Sequence, residues 1–206
     1  MIIKTFIEGP ISANNYLLID NDEAVLIDCS SPREEFVNAV KSQGVKLKYI
    51  FLTHGHFDHI LGCDKFKETF SCEIHMNEKD RMQVQQAPQM LSYYSGAVIE
   101  SINSITKDVF DGDEFVFGNV KIKAISTPGH TQGGMCYLID GKLFSGDTLF
   151  RESVGRCDLP GGNWKELLSS VRDKLFKLPD ETIVYTGHGP STTIGYEKKY
   201  NEILNI

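Results

Sequence analysis

The stretch Thr53-His54-Gly55-His56-Phe57-Asp58-His59 follows directly on Tyr49-Ile50-Phe51-Leu52. The short apolar and aromatic run reads as a buried strand. Behind it stand three histidines and an aspartate, the nitrogen and oxygen donors that zinc and related divalent ions take. His54 and His56 are two apart, so in extended backbone they face the same way and can chelate one ion. Gly55 lets the chain bend. Asp58 and His59 open a helical pattern continued by Cys63, Phe66 and Phe70, which re-aims them toward a second ion. A lone histidine near a turn is usually a polar surface residue. Four donors packed behind one strand point instead to a metal.

The remaining donors repeat this placement. His130 follows a strand and a tight turn in Ser126-Thr127-Pro128-Gly129-His130. Asp147 follows the strand Leu143-Phe144-Ser145, and His188 follows Thr182-Ile183-Val184-Tyr185. Each comes just past a strand end, beside glycine or proline, as a site built on a sheet rim requires.

Around these points the chain alternates strands and helices. Ile2 to Ile7, Tyr16 to Ile19 and Ala24 to Ile27 read as strands, the last two joined as a hairpin across Asp20-Asn21-Asp22. Pro32 to Gln43 reads as a helix that Ser31 caps and Gly44 ends. A helix to about Phe70 follows the metal stretch, then a short strand Glu73-Ile74-His75. Residues Glu78 to Thr106 read as a short helix and a loop-rich insertion at the site mouth, with Met and Tyr as core filler the alternative. Glu114 to Phe117 pairs with Val120 to Ser126 across Gly118-Asn119, and Met135 to Ile139 with Lys142 to Ser145 across Asp140-Gly141. Trp164 to Lys177 reads as one amphipathic helix. The pattern predicts two sheets between helices, and 206 residues without a linker predict a single domain, 1–206.

Composition narrows the function classes. A net charge of −7 argues against a nucleic-acid partner. No apolar run is long enough to span a bilayer, and the N-terminus has no signal-peptide layout. The five cysteines are odd in number and lack a CxxC pair, so a reduced, cytoplasmic chain is expected. Cys63 and Cys136 read as core residues. Cys157 lies close to the proposed site and reads as packing, with a ligand or reactive thiol as the weaker alternative.

Thr53 to His59, Pro128-Gly129-His130-Thr131, Phe144 to Phe150 and Gly187-His188-Gly189-Pro190 together resemble the successive motifs of the metallo-β-lactamase superfamily. They are most similar to its glyoxalase II branch, the hydroxyacylglutathione hydrolases and their short relatives. That resemblance implies an α/β fold, a four-layer αββα sandwich. It implies that His54, His56 and His130 hold one ion, that Asp58, His59 and His188 hold another, and that Asp147 bridges them. Asp58 and Asp147 are then the catalytic carboxylates, and Asp28 supports the ligands from behind. His75 matches no ligand position and reads as structural. Two divalent ions are implied, zinc first, with iron or manganese as alternatives. Water shared between them ionises at neutral pH and attacks an acyl carbon whose carbonyl the ions polarise. The implied partner is a small acyl thioester such as S-lactoylglutathione, whose thiolate leaves without a strong general acid.

The chain departs from the family pattern at two points. Asp147 stands in a region where many β-lactamases place a cysteine ligand, which speaks against antibiotic hydrolysis as the main activity. The chain stops at Ile206, soon after His188, without the helical segment whose basic residues grip glutathione in full-length glyoxalase II. Arg156 in Gly155-Arg156-Cys157-Asp158 stands where the family places a basic residue near the substrate, so Arg156, with Tyr93 and Tyr94, is the expected substrate contact. A surface arginine paired with Asp158 is the alternative. Other activities remain open: a persulfide dioxygenase using one iron on His56-type donors, His130 and Asp147, a lactonase or other ester hydrolase, and a non-catalytic metal-binding protein.

Overall fold

The computed structural model describes residues 1–205. Its twelve strands form two six-stranded sheets. The first runs in order β1 (Ile2–Glu8), β2 (Ala13–Asp20), β3 (Glu23–Ile27), β4 (Lys46–Phe51), β5 (Glu73–Met76) and β6 (Lys107–Asp108). The second contains β7 (Glu114–Phe117), β8 (Val120–Ser126), β9 (Met135–Ile139), β10 (Lys142–Gly146), β11 (Ile183–Thr186) and β12 (Thr192–Thr193), paired side by side in that order. Helices α1 (Glu34–Lys41), α2 (Phe57–Ile60), α3 (Cys63–Phe70) and α4 (Arg81–Ser95) belong to the first half, α5 (Trp164–Ser169) and α6 (Ile194–Tyr200) to the second.

Period-two alternation builds the layers. In β3, Ala24 and Leu26 pack toward the helices while Val25 and Ile27 face the other sheet. In β4, Ile50 takes the helical side and Phe51 the inter-sheet side. The same split runs through β10, where Phe144 enters the inter-sheet core and Leu143 joins Leu167, Val171 and Leu175 beneath the second helical layer. Strands buried on both faces need unbroken apolar runs, which explains Tyr16 to Ile19 and Tyr49 to Leu52. The result is the four-layer αββα sandwich.

Several local expectations are corrected. The first helix starts at Glu34, because Ser31 Oγ accepts from the Arg33 amide at 3.2 Å and turns the chain before the helix rather than capping it. The helix after the metal stretch is broken into α2 and α3, and at the break the Gly62 amide donates to the Cys29 carbonyl at 2.8 Å. The stretch after Glu78 holds a 15-residue helix rather than a short one. Pro88 lies inside it, although proline removes a backbone donor and disfavours a helix interior. Tertiary packing of Val84, Ala87 and Leu91, all on one face, carries the helix through. The predicted Trp164–Lys177 helix changes pitch after Ser169, into a π turn over Ser170–Lys174 and a 3-10 turn over Leu175–Lys177. Strands β6 and β12, two residues each, and helix α6 carry too little periodicity to be read from sequence. Among the described residues no helix is long and apolar enough to cross a membrane.

His75 lies within β5 against Tyr49, Phe51 and Phe115, and belongs to none of the ligand groups. Neither ring nitrogen has a hydrogen-bond partner, and Glu73 approaches Nε2 to 3.4 Å only. Burial lowers its pKa, with Glu73 pulling the other way. The unfolded ring binds a proton near pH 6.5, before the folded one does. Stability from this residue is therefore full above that pH and is lost as pH falls below it. His75→Phe is expected to remove that loss. Melting curves from pH 7 to pH 5 check it: the Tm difference should move in favour of the variant as pH falls, and a constant difference counts against the assignment.

Candidate metal centre

The histidine-rich stretch spans the turn between β4 and α2, and His130, Asp147 and His188 lie beyond the ends of β8, β10 and β11. The loops fold over one rim and gather seven side chains. His54, His56 and His130 form one group, Asp58, His59 and His188 another, and Asp147 joins His54 and His59 in a third, with ligand atoms in each group within 4.8 Å of one another. Asp147 faces both triads. Its Oδ2 lies 3.6 Å from His130 Nε2 and 3.7 Å from His188 Nε2, and its Oδ1 lies 3.5 Å from His59 Nε2. Gly187 makes room for it, since a Cβ there would collide with Asp147 Oδ1.

Hydrogen bonds behind the cluster settle the imidazole tautomers. Asp28 sits just past β3 at φ 61°, a left-handed conformation that costs energy for a residue other than glycine. That conformation turns its carboxylate inward. Oδ1 accepts from the Thr53 amide at 2.8 Å, and Oδ2 accepts from Thr53 Oγ1 at 2.9 Å and from His59 Nδ1 at 2.8 Å. His59 therefore presents an unprotonated Nε2 once its second proton is lost. Thr53 has given its only proton to Asp28, so at 3.0 Å it accepts from His54 Nδ1, which leaves a lone pair on His54 Nε2. His130 Nδ1 donates to the Arg156 carbonyl at 2.7 Å and likewise turns Nε2 into the cluster. Carboxylates and carbonyls that orient ligand histidines in this way are the usual support of a metal site.

A second buried carboxylate, unmarked by any sequence signal used above, holds the other side. Asp80 is fully buried. It accepts from the Gly55 amide at 2.9 Å, from Thr131 Oγ1 at 2.7 Å and from the Gly133 amide at 2.6 Å. One side chain thus ties the loop of His54 and His56 to the loop of His130. Gly55 serves this contact rather than a bend: its φ is not positive, but a Cβ there would lie 2.8 Å from the Asp80 carbonyl oxygen.

The donor set fits divalent cations. His54 Nε2 and Asp147 Oδ1 are buried with no hydrogen-bond partner, which is costly unless something positive meets them. His130 Nε2 faces His56 Nδ1 at 3.0 Å, and His59 Nε2 faces His188 Nε2 at 3.2 Å. Burial and the neighbouring His130 push His56 down to about 4, and burial with the surrounding imidazoles lowers His54 well below the usual range. These rings are neutral at pH 7 and offer lone pairs. Burial alone would lower His59 too, but Asp28, Asp58 and Asp147 outweigh it and hold it up at about 10. Its proton is the one a cation displaces. For Asp58 burial works against ionisation, yet His59 and His188 hold its carboxyl well below the usual range.

A cavity of about 450 Å³ opens over the cluster, with His56, Asp58, His130, Asp147 and His188 in its floor. Tyr94 and Arg156 line it. Tyr94 stacks on Phe57 with ring centroids 5.4 Å apart. Tyr93 does not line the cavity; it is 83% exposed and its ring lies edge-on to Tyr94, with centroids 5.6 Å apart. Arg156 is forked onto Asp158, with Nε and Nη2 donating at 2.7 Å each. Cys157 is absent from the ligand groups; its thiol points to the Gly155 carbonyl at 3.7 Å and packs beside the second helical layer.

A family model described as the metallo-beta-lactamase superfamily matches residues 9–188. The chain belongs to that superfamily. Hydroxyacylglutathione hydrolase GloC of Haemophilus influenzae is 34% identical over 206 residues, spanning 95% of this chain and 96% of its own length. The crystal structure of BLEG-1 B3 metallo-beta-lactamase is 35% identical with a TM-score of 0.91, covering 100% of both chains. That of TTHA1623 in a di-iron-bound form is 32% identical with a TM-score of 0.88, covering 97% of this chain and 98% of the other. The chain is thus a superfamily member with metallo-hydrolases among its relatives, and its His and Asp cluster is a divalent-metal site by donor chemistry.

Proposed function

We propose that residues 1–206 form one catalytic domain, a two-metal hydrolase of acyl thioesters related in activity to the hydroxyacylglutathione hydrolases. The observation that carries the reading is the pair of complete triads with Asp147 turned toward both. The likeness to GloC supports the thioester class. The likeness to a B3 β-lactamase means that Asp147 by itself does not separate this chain from such enzymes. Zinc is the proposed metal, since every donor is imidazole or carboxylate, and the di-iron relative makes iron its competitor.

His54, His56 and His130 would hold one cation and Asp58, His59 and His188 another, with Asp147 facing both, and the bound ions would supply Lewis acidity for water and the acyl carbonyl. The chain's own groups do the rest. Asp28, Thr53 and the Arg156 carbonyl fix the ring planes so that the reacting atoms meet in one geometry. Asp58 and Asp147 both reach the cavity floor and can take the proton released as water adds to the acyl carbon. The new C–O bond forms, the C–S bond breaks, and the thiolate leaves without needing a proton. The proposed partner is a small molecule, and the net charge of −7 speaks against nucleic acid.

Purified protein, assayed both zinc-loaded and iron-loaded, should release free thiol from S-D-lactoylglutathione without consuming oxygen. Thiol titration beside an oxygen electrode tests it. Oxygen uptake with glutathione persulfide, and no thiol from the thioester, would replace this reading with the one-iron dioxygenase.

A further inference from the structure

The walls of the cavity differ in character from its floor. Above the candidate ligands stand six apolar side chains: Ile11, Phe57, Met90, Phe150, Leu159 and Pro160. They come from four separate segments. Ile11 lies in the turn between β1 and β2, Phe57 opens α2, Met90 projects from α4, and the other three follow β10. On α4, Gln83, Gln86, Met90 and Tyr94 share the cavity-facing stripe at helical spacing, while Val84, Ala87 and Leu91 hold the helix to the core. The amphipathic helix therefore presents neutral groups only.

Charge is the second observation. Among the described residues Arg156 is the one Lys or Arg side chain in the lining, and Asp158 already takes two of its donors in a bidentate pair. A glutathione thioester brings two carboxylates and an ammonium, and the described walls hold no uncommitted cation to meet the carboxylates. Three of its five N–H donors lie outside that pair, but Asp158 already balances the guanidinium charge, so the wall offers no net positive charge for a second carboxylate. The size also matters: about 450 Å³ suits one ligand of modest size, with most of its surface buried.

We propose that the cavity selects its substrate by an apolar acyl group carried on an uncharged thiol, and discriminates against the charged glutathione moiety. The inference rests on the thioester hydrolase reading. Each buried methylene of the acyl chain is expected to raise kcat/KM, as transfer from water to an apolar wall does, by about two- to fourfold.

The zinc-loaded protein, with metal content measured, is assayed on N-acetylcysteamine thioesters from acetyl to hexanoyl and on S-D-lactoylglutathione. Binding of the non-hydrolysable hexyl thioether of N-acetylcysteamine is followed by calorimetry. The expected result is a kcat/KM that climbs with chain length, a hexanoyl thioester favoured over S-D-lactoylglutathione by at least about tenfold, and measurable thioether binding. Met90→Gln on α4 and Leu159→Gln on the opposite wall should each flatten the slope, so failure of one variant to fold leaves the other. A flat chain-length profile with S-D-lactoylglutathione preferred overturns the inference and leaves the thioesterase reading standing. Absence of thiol release from every thioester overturns both.

Discussion

Asp147→Ala should purify with neither ion at full occupancy and with kcat/KM lowered by at least about a hundredfold. Loss of a residue that only orients a ligand costs about 10–100-fold in affinity or activity, so a direct ligand starts from the upper end of that range. Asp147 stands within 3.5–3.7 Å of His59, His130 and His188, members of both triads, so its removal weakens both. Its Oδ1 is buried without a partner, so the fold itself has little hydrogen bonding to lose. The melting temperature of the metal-free variant should therefore stay near that of metal-free parent, while that of the metal-loaded pair separates. Elemental analysis and steady-state kinetics decide it. Two ions per chain retained in Asp147→Ala would show that this carboxylate bridges nothing.

The rim was legible because its ingredients are local. A strand that must be buried on both faces is an unbroken apolar run, and the donors at its end are polar residues that such a run cannot contain. Tyr49 to Leu52 followed by His54, His56, Asp58 and His59 announces both facts at once. His130, Asp147 and His188 repeat the pattern after β8, β10 and β11, and the structure gathers all of them. Asp28, one residue past β3, was reached through the family resemblance rather than through this pattern. The cavity wall was legible only in part, through the Glu78 to Thr106 stretch at the site mouth with Tyr94. Ile11, Met90, Phe150 and Leu159 meet only because loops from both halves of the chain fold over the rim, and nothing local distinguishes them from core or surface. The full length of α4 was not legible from its helical patches, because the cost of Pro88 inside it is offset by packing against residues far away in sequence. Asp80 was missed for the same reason. It lies in no strand end and near none of the candidate ligands in sequence, and its partners Gly55 and Thr131 are 25 and 51 residues away.

Asp80 carries the other large effect. Asp80→Ala would leave two backbone amides and a hydroxyl without an acceptor in a buried place. Bonds to a charged acceptor are worth about 1.5–3 kcal/mol each and do not simply add, so a loss of about 3–5 kcal/mol is expected. Against a total of about 5–15 kcal/mol that is enough to unfold much of the protein at physiological temperature. Asp80→Asn separates the structural from the functional part. The amide nearly preserves shape, and its oxygen can still serve one loop, but its NH2 group must face a donor on the other. The cost falls to about 1–3 kcal/mol, and the protein should fold. Gly55 sits between His54 and His56, and Thr131 follows His130, so the strained contact loosens that triad and spares Asp58, His59 and His188. Zinc titration with a competing chelator should then show one ion bound about 10–100-fold more weakly and the other nearly unchanged. A purely structural role would lower stability and leave both affinities alone. Asp80→Asn with parental stability and two equally tight ions would show that Asp80 positions nothing at the metal centre.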